Sequence, residues 1–388
     1  MEGEINLLQS SKPITYAIDA ESANKEKRTG VEAYAFQVIQ AMKQEPLKEG
    51  ERVFLYSPTP LNGPLADLPR GWESRVLTWN FPRGWMQGRV SWELFRRPPE
   101  VLFVPAQGLP KFFFKIPIVT TIHDVAFRRI GALYDPIVRR RLQKVTHRSV
   151  KKASRLLAIS TFTRQELHDL YHIEEKRVTI TPLAADTSVY HRLDAQTVDG
   201  ALRRYRLGQS FFLFVGRLEK KKNVSTLIRA FESFKQNRGV GDPFELVLVG
   251  ASGFGYQDLK VQIERSPVRE LIREVGYLPD EDVAALMNKA TAFCFPSWEE
   301  GFGIPNVEAM VCGAVLVTSD IPVHHEVAGD AALFVDPKDA EAWAKTFARL
   351  ASDPMLRDQL IEKGSLRAAQ FSWGKTARST WEVLRSLV

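Results

Sequence analysis

The chain has 388 residues, of which 44% are hydrophobic and 26% charged, a globular composition; at roughly 100–200 residues per domain it predicts two domains. Apolar runs such as FFLFV at 211–215 fall far short of the ~18 residues of a spanning helix, and the start MEGEINLLQSSKPITYAID lacks the basic opening and apolar core of a secretory signal. No transmembrane helix and a cytoplasmic location are therefore expected, and Cys294 and Cys312, each in an apolar stretch, read as reduced core residues.

In chain order, ITYAID (14–19), RVFLYS (52–57), VLFVP (101–105), IPIVTTIHD (116–124) and RLLAIS (155–160) read as strands. Helical patterns occupy about 31–43, 136–153 and 161–171. A second series follows in FFLFVGR (211–217), FELVLVG (244–250), EVGYL (274–278), TAFCFPS (291–297), AVLVTSD (314–320) and AALFVD (331–336). Helices at about 224–237, 281–290, 305–312 and 338–351 separate these strands. Near-continuous apolar strands alternating with helices predict parallel sheets covered on both faces. The fold class is α/β, with two doubly wound, Rossmann-like domains joined in TPLAADTSVYHRLD, residues 181–194.

The net charge of +7 is unevenly placed. Within 136–155, Arg139, Arg140, Arg141, Lys144, Arg148, Lys151, Lys152 and Arg155 occur with no acidic residue, while Val138, Leu142, Val145, Ser149, Ala153 and Leu156 recur at helical spacing. Such a basic face is a solvated surface, or it meets anionic lipid headgroups, a phosphate-bearing acceptor or nucleic acid. Nucleic acid ranks last, for want of a helix-turn-helix signature, a finger spacing or an aromatic recognition motif nearby. KFFFK at 111–115 is either a membrane-seeking patch or a strand entering the core.

Ligands of open α/β sheets sit beyond the carboxyl ends of the strands, where this sequence places HD (123, 124), GRLEKKKN (216–223), GASGFG (250–255) and SWEEGFG (297–303). Two such edges facing across a cleft point to an enzyme. In the first cationic segment, Gly216 permits close backbone approach, and Arg217 and Lys222 offer a forked and a point cation for phosphate oxygens. The competing reading of KKK is a solvated charge run.

SWEEGFGIPNVEAMVCG reads as a loop followed by a short helix opened by Pro305 and closed by Gly313. Its start, after Gly301 and Gly303, presents free amides to a phosphate or a sugar hydroxyl. Glu308 is placed on the first helical turn and Glu300 on the loop, where carboxylates accept from vicinal hydroxyls. Otherwise Glu300 is solvated and Glu308 complements the helix dipole; Glu299 reads as a solvated neighbour. DED at 280–282 reads as a helix start, and HHE at 324–326 as a helix face, in preference to metal sites.

EEGFGIPNVEAMVCGAVLVTSD resembles the signature of retaining glycosyltransferases of family 4, with the glycosyltransferase B fold, in which two glutamates stand apart by seven residues, as Glu300 and Glu308 do. FVGRLEKKKN is similar to that family's phosphate-binding segment, VGYLPDEDVAALMNKA to its nucleotide-base segment, and TTIHDVAF and RTGVEAY to its N-terminal cleft motifs. The resemblance implies an acceptor-binding domain over 1–190, a nucleotide-sugar-binding domain over 191–369, and a C-terminal helix over 370–388 crossing back onto the first domain. It assigns Arg217 and Lys222, beside Gly216, to the donor diphosphate, and Glu308 to the ribose. Glu300 and Gly301, with the amides of Phe302 and Gly303, take the transferred sugar. The backbone around Leu278 takes the base, His123 lies near the reacting sugar, and Gly30 gives the loop that approaches the diphosphate. Thr29 stands there where the family often has a second glycine.

What the resemblance further implies is metal-independent transfer with retention, a donor phosphate oxygen serving as base. TGVEAY, VPAQGLP and TTIHDVAF are similar to bacterial mannosyltransferases that use GDP-mannose in surface polysaccharide synthesis. UDP-linked glucose, galactose or N-acetylglucosamine stays open, as does a non-catalytic nucleotide-sugar-binding protein. The acceptor is expected to be a saccharide or a lipid-linked saccharide, met at the inner face of the plasma membrane through the basic helix.

Overall fold

A computed structural model describes residues 13–81, 83–112, 116–239 and 241–388. In the first half, strands β1 (Ile14–Asp19), β2 (Glu51–Ser57), β3 (Trp72–Val76), β4 (Val101–Val104), β5 (Ile118–Ile122), β6 (Arg155–Ala158) and β7 (Val178–Ile180) form one parallel sheet in the order β3-β2-β1-β4-β5-β6-β7. Helices α1 (Gly30–Lys43), α2 (Ser91–Arg96), α3 (Pro136–Lys152) and α4 (Thr161–Tyr171) accompany it.

Residues 181–194 carry the chain, without helix or strand, to the second unit. That unit contains α5 (Ala195–Tyr205), β8 (Phe211–Val215), α6 (Val224–Arg238), β9 (Glu245–Val249), α7 (Tyr256–Arg265), β10 (Ile272–Gly276) and α8 (Asp280–Lys289). It continues with β11 (Ala292–Phe295), α9 (Ile304–Cys312), β12 (Leu316–Ser319), α10 (Pro322–Ala328), β13 (Ala332–Val335), α11 (Ala340–Ser352) and α12 (Pro354–Ala368). Its sheet is also parallel, in the order β10-β9-β8-β11-β12-β13.

Both strand orders reverse once, between β1 and β4 and between β8 and β11. A crevice opens beyond the carboxyl ends of the strands at such a reversal, because the flanking helices leave on opposite faces. Burial follows the apolar runs: every side chain from Phe211 to Phe214 is fully buried, as expected of a strand covered on both faces. Phe212 stacks on Phe347 of α11 at 4.2 Å and on Phe244 at 5.1 Å.

Helix α13 (Trp373–Arg385) follows the second unit in sequence but packs on the first. Its buried residues Thr376, Ala377, Thr380, Trp381, Val383 and Leu384 form one helical stripe. Trp381 meets Tyr16 edge-on at 5.3 Å and Trp72 at 6.1 Å, and its Nε1 donates to the Met42 carbonyl at 3.2 Å. Arg385 forks onto both carboxylate oxygens of Glu51, at 2.9 and 2.7 Å.

Some elements differ from expectation. The sheet gains β3 and β7, of which β3 buries only its first residue, Trp72. Helices α2, α5, α7, α10 and α12 join those read from periodicity. The basic helix ends at Lys152, so Arg155 belongs to β6. Phe113, Phe114 and Lys115 of KFFFK lie outside the described residues, whereas Phe112 is 55% exposed.

Because Trp381 fills the junction between α13 and the first sheet, Trp381→Ala is expected to cost about 3–5 kcal/mol. Chemical denaturation followed by circular dichroism would show this as a lowered midpoint, and an unchanged midpoint would contradict the packing role.

Candidate active site

The crevice between β8 and β11 is built by backbone contact and one asparagine. A Cβ on Gly250 would lie 1.9 Å from the Gly216 carbonyl oxygen, so the ends of β8 and β9 meet where only glycine fits. Beyond Gly216 the chain turns through Asn223, which adopts the left-handed conformation that asparagine tolerates, with φ of 55°. Its amide nitrogen donates to the carbonyls of Pro296 (3.1 Å) and Pro337 (2.7 Å), tying the turn to the end of β11. This residue was not singled out by sequence reasoning, although an asparagine just before a helix is a recognisable turn signal.

The tie sets Lys222 against Glu300, with Nζ to Oε1 of 2.6 Å and both side chains largely buried. Burial alone would raise the Glu300 carboxyl, but the Lys222 and Lys221 ammonium groups outweigh it and hold it down at about 2. Burial likewise opposes the charge on Lys221, yet Asp124, Glu300, Tyr134 and Glu219 together raise its pKa. The lysine run is therefore not a solvated face at Lys221 and Lys222, whose side chains are only 19% and 15% exposed.

Glu299 requires correction: it is buried, not solvated, and its Oε1 has no partner among the described residues. Burial, then the neighbouring carboxylate of Glu166, push it up to about 7, against the pull of Arg129. Helix α9 begins at Ile304, so Pro305 is its second residue, and Glu308 lies one turn in, not on the first turn. Helix-dipole complementarity does not explain Glu308. Its carboxyl is pushed up to about 8 by burial and then by Asp280 and Asp186, so near neutral pH it can donate as well as accept a hydrogen bond.

On the facing edge, His123 follows β5, and its ring meets Tyr34 edge-on at 4.7 Å. Its Nε2 lies 3.0 Å from the Pro105 carbonyl, which assigns the proton there and leaves Nδ1 as an acceptor. Burial lowers its pKa, favouring the neutral ring. The two edges touch at Gly301, where a Cβ would stand 1.8 Å from the His123 carbonyl oxygen. Gly30 opens α1 with φ of 35° and empty space where a side chain would project.

The structure thus gathers Lys222, Glu300, Gly301 and His123 at one place. Arg217, exposed and without an ion-pair partner among the described residues, extends from the end of β8 over Gly253. Leu278 is buried just beyond β10, and Glu308 lies with Asp280 and Asp186. Phe302 is buried edge-on to Phe371 at 5.5 Å. The amides of Phe302 and Gly303 have no partner among the described residues. A cavity of about 700 Å³ lies elsewhere, beside Tyr256, Lys260 and Arg273. Of its cations, Lys260 pairs with Glu274 at 2.7 Å and Arg273 with Glu245 at 3.0 Å, while Arg269 donates to the Ile272 carbonyl at 3.3 Å.

The acidic and histidine clusters have protein partners. Asp280, Glu281 and Asp282 occupy the first turn of α8, and Asp282 accepts from Tyr205 Oη at 2.5 Å. HHE is not one helix face: His324 is buried with Nδ1 2.7 Å from Thr318 Oγ1, His325 reaches Asp320 at 2.6 Å, and Glu326 crosses to α4. Among the described residues, no group of His, Cys, Asp and Glu is arranged to hold a metal ion.

The raised Glu308 carboxyl carries a pH signature. It stays protonated in the folded chain while the unfolded chain ionises at its ordinary value of 4.5, so this group makes stability fall as pH climbs from there through about 8. Glu308→Gln, which cannot ionise, is expected to gain melting temperature relative to the parent chain between pH ~5 and pH ~8. A difference that stays constant with pH would contradict the shift.

The family model described as Glycosyltransferase Family 4 matches residues 28–189, and that described as Glycosyl transferases group 1 matches 204–367. The chain is 32% identical over 263 residues to O-antigen chain mannosyltransferase B of Escherichia coli, covering 68% of each chain. It is 28% identical over 236 residues to the serotype-specific mannosyltransferase WbdA of Escherichia coli, a match spanning 58% of this chain but only 28% of that protein. Among solved structures, Anabaena Alr3699/HepE in complex with UDP-glucose superposes with a TM-score of 0.74 at 17% identity, over 96% of this chain and 100% of that one. Two parallel sheets with opposed crevices, the sequence signature and these matches agree: the chain belongs to the family 4 glycosyltransferases, with the glycosyltransferase B fold.

Proposed function

We propose that the protein transfers mannose from GDP-mannose, with retention of anomeric configuration and without a metal ion, to a saccharide or lipid-linked saccharide in surface polysaccharide synthesis. The observation that carries this reading is the buried Lys222–Glu300 pair at the β8/β11 crevice, a cation for a diphosphate beside a carboxylate for a sugar. The mannosyltransferase relative supports the choice of sugar. A UDP-hexose donor is the second reading, favoured by the structural neighbour solved with UDP-glucose.

In the proposed complex, Arg217 and Lys222 meet the diphosphate beside Gly216, and the start of α1 at Gly30 approaches it from across the cleft. Glu308 takes the ribose hydroxyls, and the backbone at Leu278 takes the base. Glu300 and Gly301, with the amides of Phe302 and Gly303, hold the transferred sugar, and Nδ1 of His123 accepts from one of its hydroxyls. The acceptor oxygen bonds to the anomeric carbon as the carbon–phosphate-oxygen bond breaks. The diphosphate leaves with the electron pair, and a donor phosphate oxygen takes the acceptor proton. Fixed cations at the leaving group act most strongly where water is excluded.

The acceptor side is proposed to work at the inner face of the plasma membrane. The basic face of α3 adjoins exposed Trp92 and Phe95 of α2 and exposed Phe112. Phe112 donates its amide to Ser91 Oγ at 3.2 Å, and Arg148 holds the carbonyls of Pro110 (2.7 Å) and Lys111 (2.8 Å), so the three segments form one surface. Cations with aromatic rings suit anionic headgroups over an apolar layer. Flotation with anionic but not zwitterionic vesicles is expected, weakened in Trp92→Ala/Phe95→Ala; equal flotation with both would sink the membrane reading.

The donor reading is tested with a panel of GDP-, UDP- and ADP-sugars, measuring release of nucleoside diphosphate. GDP-mannose is expected to respond most. Arg217→Ala and Lys222→Ala should each lower kcat by about 10²–10³. Glu308→Ala should mainly raise the donor KM, and Glu300→Ala mainly lower kcat. A panel without any response would overturn the transferase reading.

A further inference from the structure

Helix α4 belongs to the first sheet, but its opening turn docks on the second unit. An α-helix leaves its first amides without intrahelical partners. Here those of Thr161 and Phe162 donate to the Glu326 carboxylate of α10, at 2.6 and 2.9 Å, and that of Thr163 donates to the Ser160 hydroxyl at 2.9 Å. The guanidinium of Arg367 holds the carbonyls of Glu326 and Val327, bracing that end of α10 from its own side.

The same turn grips the sugar loop. Ser160 Oγ donates to the Gly301 carbonyl oxygen at 2.6 Å, and Thr163 Oγ1 donates to it at 3.2 Å. The Gly301–Phe302 peptide is planar and trans, so its C=O and N–H point in opposite directions. Two hydroxyls holding the carbonyl therefore aim the Phe302 amide the other way, and that amide has no partner among the described residues. With Gly301 pressed on the His123 carbonyl, the peptide has no room to turn over while the two edges touch.

We propose that Ser160 and Thr163 are positioning residues for the transferred sugar: they orient the Gly301–Phe302 peptide from across the cleft, so that the sugar-facing amide is aligned only while the two domains are closed. This rests on the reading above that the Phe302 and Gly303 amides meet the sugar. The contacts assigned to the diphosphate and ribose, at Arg217, Lys222 and Glu308, do not pass through α4. Loss of the two hydroxyls therefore separates sugar recognition from nucleotide recognition.

The test uses the full chain with Thr163→Val, Ser160→Gly and the double variant, glycine being tolerated at a helix N-cap. Calorimetry measures the affinities for GDP and GDP-mannose, with UDP and UDP-glucose in a parallel arm, alongside kcat and melting temperature. The expected result is a GDP affinity within about twofold of the parent, a kcat at least about tenfold lower in the double variant, and a lost affinity difference between GDP-mannose and GDP. Ser160→Thr and Thr163→Ser, which keep the hydroxyls, should restore turnover. The proposal is overturned if the double variant keeps its kcat, or if GDP affinity and melting temperature fall in step with turnover, which marks a merely structural role. A parent chain that binds no nucleotide sugar overturns the donor reading first, and the inference with it.

Discussion

The Lys222–Glu300 ion pair governs the cleft edge. Removing two charges from water is costly, and a buried pair repays this only with good geometry and further hydrogen bonds. Here the geometry is enforced from outside the pair: Asn223 clamps the lysine turn to the prolines that follow β11 and β13, while Lys221 adds further stabilisation to the carboxylate. The pair is therefore held in charge balance within the second unit.

The same economy shows in the backbone. Gly250 and Gly301 stand where main chains approach too closely for any side chain, one within the second unit and one between the two. The first brings the ends of β8 and β9 together, so that the residues after them converge. The second makes contact between the edges a property of the peptide itself, which places the Gly301 loop under the influence of residues far away in sequence.

Legibility in the sequence followed the range of the forces involved. Strands such as Phe211–Val215 and Glu245–Val249 were readable because a parallel strand buried on both faces needs a continuous apolar run. The positions of Lys222 and Glu300 at strand ends were readable from the glycines and prolines after those runs. The raised carboxyl of Glu299 was not, because besides burial it answers to the charges of Glu166, Arg129 and Asp124, brought up by the other domain. Glu326 was hidden for the same reason: its partners are backbone amides 164 and 165 residues away. The edge strand β3 escaped notice because Trp72 is its one buried side chain.

The return of α13 to the first sheet has a consequence for biosynthesis. Trp381 and Arg385 complete a surface whose other members, Tyr16, Glu51 and Trp72, leave the ribosome more than three hundred residues earlier. Domains generally fold as units, N-terminal first, during synthesis. Here that surface of the first unit stays uncovered until α13 emerges. The first unit is therefore closed like a clasp by a helix that follows the second, and a nascent chain that stops short of α13 leaves an aromatic face open to the wrong partner.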